Sequence, residues 1–196
     1  MRIVGGALRG RRLESPRGAS TRPTSERVRE ALASALDARG ALLDARVLDV
    51  FAGTGALGLE ALSRGAAALV AVDVDRNALA CIRRNVAALE LGARAHVLPL
   101  DLTAKRGALA RGLARTEVPP FTLVFADPPY ALAAEAARLL ADLRAAGLLA
   151  GGALVALEHA RRSPPEPAEG FAVVARYDYG DTSVQLWETV APPEES

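Results

Sequence analysis

The chain has a single cysteine, Cys81, only two histidines, His96 and His159, and one lysine, Lys105, among its 24 basic residues. One thiol makes no intrachain disulfide and no cysteine cage for a metal, and it suits a reducing cytoplasm. Both histidines fall in strand-like surroundings, so no metal site is expected. No apolar run reaches the roughly 18 residues that span a bilayer. The opening MRIVGGALRGRRLE is charged without a long apolar stretch behind it, which is not the pattern of a secretory leader. A catalytic histidine and a Tyr-x-x-x-Lys motif are both missing, which weakens any reading as a nicotinamide oxidoreductase. The tail APPEES, residues 191–196, is expected to be disordered.

What is present suits one globular domain with a small extension. The 196 residues are 51% hydrophobic and carry a net charge of +1, ordinary values that exclude a disordered or histone-like chain. The charge is unevenly placed. Residues 1–29 hold eight arginines against Glu14 and Glu26, a net +6, which leaves the rest at −5. A basic arm on an acidic body is the footprint of a polyanion partner, although a solvated face gives the same counts.

Residues 1–14 read as two short strands loosened by Gly5, Gly6 and Gly10 into a β-hairpin, and 15–23 as a loop. A helix is expected over about 25–39, capped by Thr24 or Ser25 and ended at Gly40. Its Val28, Leu32 and Leu36 form the apolar stripe, and Glu26, Arg27, Arg29 and Glu30 are expected to be exposed. From residue 45 strands alternate with helices. Strands are expected at 45–51, 68–74, 94–100, 121–127 and 151–159, and helices near 56–64, 76–90, 104–114 and 131–146. That rhythm means a parallel sheet covered on both faces. The end departs from it, because 171–179 and 182–188 are strands joined through Gly180-Asp181, a tight-hairpin signal. The organisation expected is an N-terminal extension over 1–40, a main domain over 41–190 and a short tail.

The first strand of the alternating region runs into Asp49-Val50-Phe51-Ala52-Gly53-Thr54-Gly55-Ala56-Leu57-Gly58. Gly53, Gly55 and Gly58 make G-x-G-x-x-G between a strand and a helix, a turn that lets backbone approach a ligand. Asp73 ends the second strand and can accept both hydroxyls of a ribose. Asp101, after the third, lies at the same sheet edge, within reach of an adenine amino group. These features fit NAD as well as S-adenosyl-L-methionine. Asp49, just before the turn, leans toward the latter, since an acid suits a cationic sulfonium ligand and repels a pyrophosphate. Phe51 belongs to the same candidate pocket.

Asp127-Pro128-Pro129-Tyr130 ends the fourth strand. An amine attached to an aromatic base is a poor nucleophile because its lone pair is delocalised. Two acceptors aimed at its N–H bonds favour the pyramidal form that attacks a methyl group. The Asp127 carboxylate and the Pro128 carbonyl are those acceptors, two prolines hold the backbone rigid, and Tyr130 offers a face for a base swung out of its stack.

This segment resembles the [Asp/Asn]-Pro-Pro-[Tyr/Phe] motif of the amino-methyltransferases of DNA, RNA and protein glutamine. The run MRIVGGALRGRRL, TRPTSERVRE at 21–30, LDVFAGTGALGLEALSRGA at 48–66, ADPPY at 126–130 and YGDTSVQLWE at 179–188 together resemble the bacterial 16S ribosomal RNA guanine-N2 methyltransferases of the RsmD type. The likeness covers residues 1–188, with an aspartate, Asp73, where a glutamate is common. It implies an α/β fold with the Rossmann-like class I methyltransferase sheet, mostly parallel and finished by an antiparallel hairpin. It also implies S-adenosyl-L-methionine as donor, guanine N2 of 16S rRNA in the 30S subunit or its assembly intermediate as acceptor, and a monomeric, cytoplasmic enzyme with no membrane partner. Asp127, Pro128 and Tyr130 are the expected catalytic residues. Asp49, Phe51, Gly53, Gly55, Gly58, Asp73 and Asp101 are expected to bind the donor, and Arg9, Arg11, Arg12, Arg22 and Arg27 to contact RNA. Adenine N6, a protein glutamine, or a non-catalytic role in ribosome assembly remain the alternatives.

Overall fold

A computed structural model describes residues 1–15, 23–101 and 108–190; the side chains of residues 23–25, 108 and 130 also fall outside this description. The expectations for Arg22, for capping by Thr24 or Ser25, for the helix start near 104, for the tail and for most of the 15–23 loop therefore lie outside the described residues.

Seven strands form one sheet in the order β3-β2-β1-β4-β5-β7-β6. They are β1 (Arg46–Val50), β2 (Ala68–Asp73), β3 (Ala95–Pro99), β4 (Phe121–Ala126), β5 (Leu149–Ala160), β6 (Phe171–Tyr179) and β7 (Thr182–Thr189). The first five are parallel, and β7 joins β5 and β6 antiparallel. The cause is legible in the residues. Strands such as Val47-Leu48 and Leu69-Val70-Ala71-Val72 are buried on both faces, as parallel strands under helices must be. The β6–β7 hairpin turns at Gly180, whose φ of 63° suits glycine.

Helices α1 (Pro23–Asp37), α2 (Ala56–Ser63), α3 (Arg76–Ala88), α4 (Ala108–Ala114) and α5 (Ala133–Ala145) complete the fold. One face of the sheet packs Leu32 and Leu36 of α1, Leu59 and Leu62 of α2 and Ile82 and Val86 of α3 into a single core. The other face packs Leu109 and Leu113 of α4 and Leu140 and Leu143 of α5 around Phe121 and Trp187. The Trp187 indole N–H, which burial would otherwise leave unpaired, donates to Gln185 Oε1 at 3.0 Å.

The N-terminal segment is drawn in more tightly than its glycines suggest. In place of two strands it makes one antiparallel bridge, Arg2 to Arg12, with Ile3 and Leu13 buried in the first core. Its backbone bonds to itself, with Ile3 N–H donating to the Arg11 carbonyl at 3.0 Å and Leu13 N–H to the Met1 carbonyl at 3.0 Å, and also to α2: Val4 N–H donates to Glu60 Oε2 at 2.9 Å, and Ala7 N–H to the Ser63 carbonyl at 2.7 Å. Gly6 permits this approach, since a Cβ there would lie 2.0 Å from the Ser63 carbonyl oxygen. Glu60, buried, also pairs with Arg64 at 2.9 Å and faces Arg29 at 3.8 Å.

Arg29 corrects the expectation of an exposed side chain. It is 4% exposed, and its guanidinium donates to the Arg2 carbonyl at 2.6 Å. Position 29 lies one residue from Val28 and three from Leu32, at the border of the apolar stripe, and the docked hairpin covers it. Helix α1 also begins two residues earlier than expected, with Pro23 in the first turn, where its missing N–H has no cost.

Candidate active site

The sheet order reverses between β1 and β4, which are neighbours although β2 and β3 lie between them in sequence. At such a switch point the connections leave in opposite directions and open a crevice at the carboxyl ends of the strands. Here that crevice is bounded by the glycine turn after β1 and by Asp127 after β4.

The turn is held in an unusual backbone state. Phe51 has φ 60°, Gly53 φ 55° and Gly55 φ 73°, and a positive φ at Phe51 is costly for a residue with a side chain. Ala52 N–H donates to the Val72 carbonyl at 3.0 Å and Gly55 N–H to the Ala52 carbonyl at 2.7 Å. Gly58 answers to space instead: a Cβ would sit 2.5 Å from Leu69 Cδ1 and 3.1 Å from Asp49 Oδ2. Helix α2 thereby approaches β1 and β2 closely, with its amino end at the crevice.

Asp73 fastens the turn. Its Oδ2 accepts from Gly53 N–H at 2.8 Å and its Oδ1 from Asp75 N–H at 2.9 Å. Each carboxylate oxygen has a further lone pair, and the residue is half-buried, so it fits the ribose-binding role. Asp101 is exposed beyond the end of β3. Asp49 stands elsewhere: it is 2% exposed behind the turn, where its Oδ2 accepts from Gly58 N–H at 3.1 Å. Burial pushes its carboxyl up to about 8 against the lowering effect of that bond, with Asp127 and Asp73 adding repulsion. In this place it braces the start of α2 from inside the protein.

Asp127 follows the last paired residue of β4, Ala126. The residue keeps an open side toward solvent, while the protein around the carboxyl desolvates it and pushes it up to about 6. The solvent side limits that shift, and filling the crevice would extend it. Pro128 beside it is buried. Tyr130 opens a short 3-10 turn over Tyr130–Leu132 that leads into α5.

Two residues in or behind the crevice were not anticipated. Asn85 of α3, buried, accepts from Glu14 N–H at 2.7 Å and donates at 3.2 Å to the carbonyls of both Glu14 and Thr54. It ties the end of the basic arm to the glycine turn. Glu158, near the end of β5, is pushed up to about 7 by burial and by the charge of Asp127. An asparagine inside an amphipathic helix gives no sequence signal, whereas a lone acid at the carboxyl end of an apolar strand does.

The arginines divide. Arg9, Arg12 and Arg27 are exposed. Arg11 is exposed too, but its guanidinium donates to the Ala88 carbonyl at the end of α3, a cation on a helix carboxyl terminus. Cys81 is buried in α3, its thiol donating to the Glu14 carbonyl at 3.2 Å. Among the described residues no cluster of histidine, cysteine and carboxylate side chains is arranged to hold a metal, and no helix is long and apolar enough to cross a membrane.

A family model described as "Conserved hypothetical protein 95" matches residues 1–188. The chain is 39% identical over 163 residues to an Escherichia coli protein named "Ribosomal RNA small subunit methyltransferase D", covering 81% of this chain and 74% of that one. A protein of the same name from Haemophilus influenzae is 29% identical over 191 residues, covering 96% and 93%. An Escherichia coli structure described as "Putative methyltransferase yhhF" superposes with a TM-score of 0.79 at 34% identity, over 98% of this chain and 99% of that one.

Proposed function

The chain belongs to the conserved hypothetical protein 95 family, the RsmD family of ribosomal RNA methyltransferases, and from that premise we propose that it transfers a methyl group from S-adenosyl-L-methionine to the exocyclic N2 amine of a guanine in 16S rRNA. The observation that carries the reading is the placement of Asp127-Pro128-Pro129 after β4, directly across the switch point from the glycine turn after β1. The names of the relatives support small-subunit ribosomal RNA as substrate. The N2 acceptor rests on the chemistry of the crevice.

The donor supplies an electrophilic methyl group on a sulfonium. The chain holds that donor through backbone at Gly53 and Gly55 and through the free lone pairs of Asp73, with Phe51 lining the pocket and Asp101 toward the adenine. Asp49 contributes by holding Gly58 and the helix start. Asp127 and the Pro128 carbonyl accept the two N–H bonds of the target amine and so favour its pyramidal form. These contacts strengthen as the nitrogen changes shape, so they act on the transition state. Tyr130 stacks on the flipped base. The methyl carbon passes in line from sulfur to nitrogen, and the surplus proton on nitrogen leaves through the solvent-open side of Asp127. Arg9, Arg11, Arg12, Arg22 and Arg27 meet phosphates of an assembled or assembling 30S particle, and the enzyme acts as a cytoplasmic monomer.

The test is transfer from labelled donor to separated substrates: 30S subunits from cells lacking the modification, duplex DNA and protein. Label in 16S rRNA of the 30S subunit is expected. Label only in DNA or protein would transfer the reading to another amine.

A further inference from the structure

The crevice contains a second carboxylate that the transfer step leaves unused. In the parallel pair β4–β5, Phe125 faces Ala156 and Ala126 faces Leu157. Asp127 and Glu158 are therefore the next residues on neighbouring strands, which run about 4.8 Å apart. Phe125 and Ala156 both enter the core that carries α2, and the two-residue alternation of strands puts Glu158 on that face as well. Glu158 is half-buried. Among the described residues its carboxylate has no hydrogen bond and no ion pair with any cation. A polar group kept half-buried without a partner inside a ligand crevice is suited to a donor that arrives with the ligand.

Resting on the guanine reading above, we infer that Glu158 reads the Watson–Crick edge of the target base, accepting the N1–H while Asp127 accepts an N2–H. The chemistry separates the purines. Guanine presents N1–H beside its N2 amine, a continuous row of donors facing two carboxylates. Adenine presents a bare N1 lone pair beside its amine, which a carboxylate repels. Two neighbouring carboxylates without a cation repel each other, and a donor-rich base edge relieves that repulsion. The mutual electrostatic influence of Asp127 and Glu158, which raises Glu158, is consistent with both facing one space. Glu158 thus determines which base is methylated, and Asp127 supports the transfer itself.

The test replaces the base. Reconstituted 30S subunits are prepared with 2-aminopurine in place of the mapped target guanine, which keeps the exocyclic amine and removes the N1–H. Single-turnover methylation is compared for the natural protein, Glu158→Gln and Glu158→Ala, with donor affinity and melting temperature recorded for each. The natural protein is expected to favour guanine by about 10–100-fold, the worth of one hydrogen bond to a charged group. Glu158→Gln is expected to narrow that ratio to within about threefold, because its amide N–H serves the bare N1, a gain under 1 kcal/mol from parity. Glu158→Ala is expected to lose rate on guanine without gaining on 2-aminopurine. An equal guanine preference in all three proteins, with folding and donor affinity intact, would overturn the assignment. No methylation of unsubstituted subunits by the natural protein would instead overturn the guanine reading, and this inference with it.

Discussion

Replacing Asp73 with alanine removes two things at once, and their sizes can be separated. In the free protein the carboxylate accepts from Gly53 N–H at 2.8 Å and from Asp75 N–H at 2.9 Å. Hydrogen bonds to a charged acceptor contribute about 1.5–3 kcal/mol each, but this residue is only half-buried, so the low end applies. Loss of the anchors leaves Gly53 N–H facing the crevice, where water can reach it, and the expected loss of stability is about 1–2 kcal/mol. The ribose loses its two acceptors as well, another ~3 kcal/mol, or about 100-fold in donor affinity. Calorimetric titration with S-adenosylhomocysteine measures the second quantity, and urea unfolding the first. Asp73→Asn keeps one acceptor but turns an amide N–H toward a backbone N–H, so its affinity should fall between the two. An Asp73→Ala protein that binds within about threefold of the natural one, a change under 1 kcal/mol, would remove Asp73 from the donor site and leave it only a brace of the turn.

Reversing Arg9 and Arg12 to glutamate, while keeping Arg11 because it holds Ala88, should weaken binding to 30S subunits without altering donor affinity. The loss should be largest at low salt, where phosphate contacts are least screened, and filter binding across a salt series would show it. Asp49 titrates upward in the fold, to about 8, so the native state holds a proton that the unfolded chain releases near 4. Stability from this group is therefore present below about pH 4 and lost as pH rises toward about 8. Asp49→Asn should flatten that decline and raise the melting temperature at alkaline pH; an unchanged pH slope would mean that Asp49 is ionised in the fold. Asp127 and Glu158 are both raised, to about 6 and about 7, and both act as acceptors when ionised. With the buried Asp49 as a further acidic neighbour of Asp127, kcat/KM should climb with pH through that range and level above it, and Glu158→Gln should move the climb to lower pH.

The parallel sheet and its terminal hairpin could be read from the sequence because apolar runs such as Leu69–Val72 are buried on both faces, and only strands under two helical layers need that composition. The glycine turn was equally legible, since positive φ at Gly53 and Gly55 leaves few other residues. Strand ends were read a residue or two off: β5 runs Leu149–Ala160 where 151–159 was expected, because Leu149 and Ala150 extend the strand before its two glycines. What escaped depends on contacts between distant segments. Arg29 looked like a surface residue until the N-terminal hairpin covered it. Asp49 could be placed at the end of its strand, but its burial behind Gly58 follows from the close approach of α2. Glu158 was visible as an acid in an apolar strand, but its meaning required knowing that β5 pairs with β4 in the register that sets it beside Asp127.

The central claim is that Asp127 supports methyl transfer to an exocyclic amine. Its most direct test is a single turnover on 30S subunits at saturating donor, with the RNA then digested to nucleosides and analysed by mass spectrometry. The natural protein should yield N2-methylguanosine, and Asp127→Ala should slow its appearance by on the order of 10²–10³ with donor affinity little changed. A methyl group on a ring atom or a sugar hydroxyl, or an Asp127→Ala protein as fast as the natural one, would contradict it.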